Sequence, residues 1–88
     1  MNDAEKIIAF ISDMAEVPED IQLSTDTSLF NNKLLDSMYL VAMIAFLEET
    51  FKIQVKPMDI VYENFDTINN ILAYIKRQQM GTAVPGLT

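Results

Sequence analysis

The sequence predicts a small all-α bundle of three principal helices plus one short helix, with a long loop after the first helix. Three observations carry that reading. Three stretches place apolar residues at helical spacing. A connection rich in Ser, Thr, Asp and Asn covers residues 16–36, longer than most connections in compact domains. The one alternating stretch, Ile53-Gln54-Val55-Lys56-Pro57, has no evident strand partner. A chain of 88 residues is enough for one core and too short for two. A single domain over residues 1–79 is therefore expected, with a flexible C-terminal tail over 80–88 containing Gly81, Pro85 and Gly86.

The first helix is expected over residues 4–15, where Ala4, Ile7, Ile8, Ile11 and Met14 or Ala15 form one apolar stripe. Asn2 followed by Glu5 suits a capping box. Val17-Pro18 ends the helix, because proline has no N–H to donate and restricts the residue before it. In the long connection, Val17, Ile21, Leu23, Leu29, Phe30, Leu34 and Leu35 are expected to pin the loop across the helices. Thr25-Asp26-Thr27-Ser28 reads as turn and cap chemistry.

The second helix is expected over residues 37–51, with Leu40, Met43, Ile44, Leu47 and Phe51 at relative positions 0, 3, 4, 7 and 11 as its core face. Met38, Tyr39, Val41, Ala42, Ala45 and Phe46 on the remaining faces are uncharged as well. One helix of so small a domain cannot bury its whole circumference. An exposed, largely apolar face is more typical of a docking site than of an inert surface. Ile53 and Val55 then join the core from an extended loop. A short helical segment follows from Pro57 or Met58 through Tyr62. Asp66 or Thr67 caps the last helix, where Ile68, Ile71, Leu72 and Ile75 again recur at helical spacing and Lys76 and Arg77 suit the C-terminal end. The predicted core is Ile8, Ile11, Leu40, Met43, Ile44, Leu47, Phe51, Ile71, Leu72 and Ile75.

Composition narrows the function by exclusion. A net charge of −7 argues against nucleic acid and against anionic membrane surfaces. The longest apolar stretch, residues 38–47, is half the length of a membrane span. With no recognisable targeting segment, a cytoplasmic location is expected. The chain has neither cysteine nor histidine. The usual zinc sites, Cys–His pairs and Ser–His–Asp triads are therefore impossible, and no metal site and no intrinsic enzymatic activity are expected. Glu48 and Glu49 read as a solvated helix face. Asp59, Glu63 and Asp66 lack calcium-loop spacing.

The stretch Leu35-Asp36-Ser37-Met38 puts an Asp-Ser pair where the loop ends and the apolar second helix begins. Asp and Ser are both ordinary helix caps, so it is their place in the whole pattern that is informative. The order of elements, together with Leu34-Leu35-Asp36-Ser37-Met38, Leu47-Glu48-Glu49-Thr50-Phe51 and Phe65-Asp66-Thr67-Ile68, resembles the acyl carrier protein family, including peptidyl and D-alanyl carriers, over residues 4–77. The resemblance implies an acyl-carrier-like fold and a 4′-phosphopantetheine arm attached to Ser37, with Asp36 as its acidic motif neighbour. A separate phosphopantetheinyl transferase installs such an arm from coenzyme A. The arm supplies the thiol that a cysteine-free chain lacks, and cargo travels on it as a thioester. The negative phosphodiester is expected beside the positive N-terminal end of the second helix.

Partners implied by the resemblance are the transferase, an acyl- or aminoacyl-loading enzyme, and downstream acyltransferases or synthases of a fatty-acid, polyketide or specialised pathway. The chain itself is expected to be a monomer. The docking residues are taken to be Met38, Tyr39, Val41, Ala42 and Ala45. Two departures qualify the resemblance. Such carriers often have a glycine just before Asp-Ser, where this chain has Lys33, Leu34 and Leu35. Fatty-acid carriers tend to be acidic two and five positions beyond the serine, where this chain has Tyr39 and Ala42. Docking is expected to depend on apolar contact more than on ion pairs. The Asp-Ser-Met variant is closer to D-alanyl carriers and to some specialised stand-alone carriers. An aminoacyl, D-alanyl or peptidyl carrier is one competing reading; a helical interaction module that never receives an arm is the other.

Overall fold

Four α-helices and one 3-10 turn form the architecture, and no strand occurs among the described residues. The computed structural model describes residues 2–15, 17 and 22–82. The expected roles of Pro18 and Ile21, and the tail from residue 83 onward, lie outside them.

Helix α1 (Asp3–Met14) opens with the expected capping box. The Glu5 N–H donates to Asn2 Oδ1 at 2.8 Å and the Asn2 N–H to Glu5 Oε1 at 3.2 Å. Ile7 and Ile11 are fully buried, and α1 packs against the last helix. Phe10 reaches the second helix by stacking on Phe46, with ring centroids 4.2 Å apart.

The loop over residues 22–36 is fastened by hydrogen bonds as well as by its apolar residues. Ser24 and Thr27 close a turn, the Ser24 N–H donating to Thr27 Oγ1 at 3.0 Å. The Asn69 N–H then donates to the Thr25 carbonyl at 3.0 Å, and Asn69 Nδ2 donates to Asp26 Oδ1. Farther on, Ser28 Oγ donates to Asp66 Oδ1 at 2.7 Å and the Leu29 N–H to the Asp66 carbonyl at 2.6 Å. Of the residues expected to pin the loop, Leu29, Leu34 and Leu35 are buried and Val17, Leu23 and Phe30 are half-buried against the core, while Ile21 lies outside the described residues.

Helix α2 (Ser37–Phe51) buries Met43, Leu47 and Phe51. Lys52 ends it in the left-handed region at φ 57°. The chain then turns back, and Val55 donates its N–H to Glu48 Oε2 at 3.0 Å. Glu48 is therefore a fastening residue rather than part of a solvated face. It holds Ile53 and Val55 in the core from an extended loop, as expected.

The expected short helix over 57–62 is two pieces, a 3-10 turn (Pro57–Asp59) and α3 (Tyr62–Phe65). Ile60 and Val61 between them are not helical, with ψ of 77° and 156°. Both are β-branched, which stiffens χ1 and favours extended backbone. Helix α4 (Ile68–Thr82) is capped by Thr67, whose Oγ1 accepts from the Asn70 N–H at 3.0 Å. Asp66 does not cap it, because its carboxylate is engaged by the loop. Helix α4 also runs three residues past the expected boundary at 79. Lys76 and Arg77 thus lie inside the helix, not at its end. Arg77 Nη2 donates to Asn64 Oδ1 at 3.0 Å, tying α3 to α4.

The core differs from the predicted set in a regular way. Ile11, Met43, Leu47, Phe51, Ile71 and Ile75 are buried, whereas Ile8, Leu40, Ile44 and Leu72 are only half-buried. Helical spacing identifies a stripe wider than the surface a partner covers. Ile7, Leu29, Leu34, Leu35, Ile53, Val55, Phe65, Ile68 and Tyr74 complete the core, most of them from loops and the short α3.

Candidate functional site

Ser37 is the first residue of α2 and is exposed. Asp36, just before it, is the N-cap: the Met38 and Tyr39 N–H groups both donate to its Oδ1 at 3.0 Å. A helix start leaves its first backbone donors without intrahelical acceptors, and here one carboxylate oxygen accepts from two of them. The Leu40 N–H goes to the Asp36 carbonyl at 2.7 Å. Ser37 Oγ makes no hydrogen bond among the described residues. The two neighbouring residues thus divide their tasks, Asp36 capping and Ser37 displaying a hydroxyl.

The amides of Met38 and Tyr39 are engaged by the Asp36 carboxylate at the helix end where the phosphodiester is expected. The site offers an accessible hydroxyl oxygen at a capped helix start.

The approach to Ser37 is equally defined. Leu34 donates its N–H to the Leu29 carbonyl at 2.8 Å, and Lys33 to the Phe30 carbonyl at 3.1 Å. With Lys33 left-handed at φ 58°, this is a Schellman closure, and Leu29 and Leu34 make its apolar contact inside the core. The left-handed position is Lys33, two residues before the position at which carriers of the resembled family often have glycine. Leu35 is buried and anchors the chain directly before Asp36. Only the absence of glycine was visible in the sequence; no local pattern marks the closure itself.

The expected docking residues divide into two groups. Met38 and Val41 are 80% and 69% exposed, and Ala42 and Ala45 are exposed beside them. Tyr39 is half-buried and packs against the core. Its helical phase explains this: Tyr39, Phe46 and Thr50 stand at i, i+7 and i+11, on the flank turned toward α1. Phe46 and Thr50 line a shallow recess there with Lys6, Ala9, Phe10 and Asp13. Beyond α2, Met58 is 79% exposed, and Tyr62 stacks on Phe30 at 5.0 Å, joining α3 to the loop that leads to Ser37.

A family profile described as "Phosphopantetheine attachment site" matches residues 5–75. The chain belongs to this phosphopantetheine-attachment family. The D-alanyl carrier protein of Abiotrophia defectiva is 30% identical over 74 residues, covering 84% of this chain and 92% of the relative. That of Lactococcus lactis subsp. cremoris (strain MG1363) is 35% identical over 72 residues, 82% of this chain and 86% of the relative. The lincomycin biosynthesis protein LmbN of Streptomyces lincolnensis is 31% identical over 77 residues, which is 88% of this chain but 28% of that longer protein. The cofactor of this carrier is therefore covalently attached 4′-phosphopantetheine. An exposed serine hydroxyl without a hydrogen-bond partner among the described residues fits such a group. No helix among the described residues is long and apolar enough to cross a membrane.

Proposed function

We propose that Ser37 Oγ bears the arm, and that this carrier presents a small aminoacyl group as a thioester to enzymes that load and unload it. The observation behind the attachment point is the division of labour at the start of α2: Asp36 satisfies the backbone, so the Ser37 hydroxyl is exposed and unengaged. A residue needed for capping could not be modified without cost to the helix; this one can. When bound, the arm supplies the thiol, and the chain supplies a rigid point of presentation.

The aminoacyl cargo is favoured by relatives named D-alanyl carrier protein that align over most of both chains. A carrier for acyl intermediates of a specialised pathway is the second reading, favoured by the match to a lincomycin biosynthesis protein. In either case the carrier contributes no catalytic residue, acts as a cytoplasmic monomer, and docks through Met38, Val41, Ala42 and Ala45, with Tyr39 at the margin.

Intact mass after incubation with coenzyme A and a broad-specificity phosphopantetheinyl transferase tests the attachment. One phosphopantetheine increment is expected, mapped to the peptide containing Ser37 and absent in Ser37→Ala, whose helical circular dichroism is retained. Modification elsewhere, or none with several competent transferases, would reject Ser37. Thioester formation by the holo-protein against amino acids and short acyl groups then separates the two cargo readings.

A further inference from the structure

Lys33 is the only basic residue between Lys6 and Lys52, a span holding eight acidic residues. It stands four residues before Ser37, so their Cα atoms are at most about 14 Å apart. Leu34 and Leu35 are buried while Lys33 is exposed, and its ammonium has no ion-pair partner among the described residues. Its backbone is left-handed, at φ 58°, a conformation in which glycine avoids the Cβ penalty that lysine incurs. Lys52 is left-handed too, so the conformation alone carries no assignment. Lys52, however, lies at the far end of α2, roughly 22 Å along the helix from Ser37.

We propose that Lys33 is a phosphate-binding residue of the attachment site, its ammonium holding the pantetheine phosphate as that group reaches Ser37 and after it is attached. The inference rests on Ser37 as the attachment residue. In the transfer, Ser37 Oγ bonds to the phosphorus of the pantetheine phosphate in coenzyme A. The bond from that phosphorus to the bridging diphosphate oxygen breaks. The hydroxyl proton passes to a base on the transferase, and adenosine 3′,5′-bisphosphate leaves. The transferred phosphate remains anionic beside the Asp36 carboxylate, whose cap leaves neither the Met38 nor the Tyr39 amide free for it. Lys33 is the basic residue nearest Ser37 in the sequence, and its ammonium offsets that repulsion when the long side chain brings it within about 10 Å of the phosphate.

Charge and backbone conformation make opposite demands at this residue, and that gives the test its power. Lys33→Arg keeps the charge, Lys33→Gln removes it and keeps the Cβ, and Lys33→Gly removes both. With a purified transferase and coenzyme A, kcat/KM is expected to fall about threefold to fivefold in Lys33→Gln and Lys33→Gly alike, and to stay near wild type in Lys33→Arg. The Tm is expected to be higher in Lys33→Gly than in Lys33→Gln. The phosphorus NMR resonance of the holo-protein is expected to move in the two neutral variants only. Unchanged kcat/KM in both neutral variants would overturn the proposal. So would rates that follow Tm instead of charge, or an equal loss of transferase binding without coenzyme A, which would put the contact on the enzyme. Peptide mapping of wild-type holo-protein reports separately on Ser37, so failure of the attachment reading is distinguishable from failure of this one.

Discussion

Ser28 Oγ donates to Asp66 Oδ1 at 2.7 Å across 38 residues of chain, and the same carboxylate oxygen accepts the Phe30 N–H at 3.3 Å. With the Leu29 N–H donating to the Asp66 carbonyl, one residue between α3 and α4 holds three successive residues of the long loop. From there the chain runs through the closure at Lys33 and the buried Leu34 and Leu35 to Asp36. The loop is therefore a defined strut from the last helix to the start of α2, and Ser37 sits at its end.

Asp66→Ala is expected to lower stability by about 1–3 kcal/mol, because it leaves the partly buried Ser28 hydroxyl and Phe30 N–H without their acceptor. Asp66→Asn keeps an acceptor oxygen and should lose less. Urea denaturation of both variants checks the order. Equal loss would mean that the carboxylate charge matters more than the hydrogen bonds.

Burial separates two leucines that helical spacing alone treats as equals. Leu47 is fully buried and Leu40 half-buried, although both lie on the same apolar stripe of α2. Leu47→Ala is expected to cost about 2–5 kcal/mol and Leu40→Ala distinctly less, since a cavity forms only where neighbours surround the side chain. Midpoints of chemical denaturation for the two variants give the comparison directly.

That pair also shows where sequence reasoning stops. The capping box at Asn2 and Glu5, the cap at Thr67 and the N-cap position of Asp36 are local chemistry, and the residues alone disclose them. Periodicity locates the three long helices for the same reason. It cannot say how much of a stripe is covered, and Phe65 reaches the core from a helix of four residues, too short to show a repeat. The Asp66–Ser28 bond, the Glu48–Val55 bond and the left-handed Lys33 are likewise products of the fold. Tyr39 is close to Ser37 in sequence, but its phase on the helix leaves it half-buried where Met38 and Val41 are exposed. At the candidate site, Asp36 and Ser37 were legible and the geometry that leads to them was not.

Tyr74 gives the fold an alkaline limit. Its ring is buried and its hydroxyl donates to Asp59 Oδ2 at 2.9 Å. Burial, then the hydrogen bond to Asp59 and the charge of Asp59, push the phenol up to about 12 from its ordinary 10. The folded state therefore holds this proton over a pH range in which the unfolded chain releases it. The contribution is complete below pH about 10 and is lost progressively as pH rises through about 12. Stability in a pH series should fall across that window in wild type and fall less in Tyr74→Phe. The variant should itself lose about 0.5–1.5 kcal/mol at neutral pH from the missing hydrogen bond. Parallel alkaline decline in both proteins would place the responsible group elsewhere.

The exposed side of α2 is where partner recognition is expected, and the two residues beside Ser37 now predict different outcomes. Val41 projects into solvent, so Val41→Asp should weaken transfer to and from the cognate loading enzyme while leaving the Tm close to wild type. Tyr39 packs on the core flank shared with Phe46, so Tyr39→Asp should lower the Tm as well as the loading rate. Between residues 37 and 47 the helix bears no charge, and apolar contact is not screened by salt. The loading rate of wild type should consequently depend only shallowly on ionic strength. A salt series of loading kinetics, with circular dichroism as the folding control, measures all three effects. Val41→Asp loaded at the wild-type rate would move the docking surface off this helix, most directly onto the exposed Met58 and Tyr62 beside the loop that leads to Ser37.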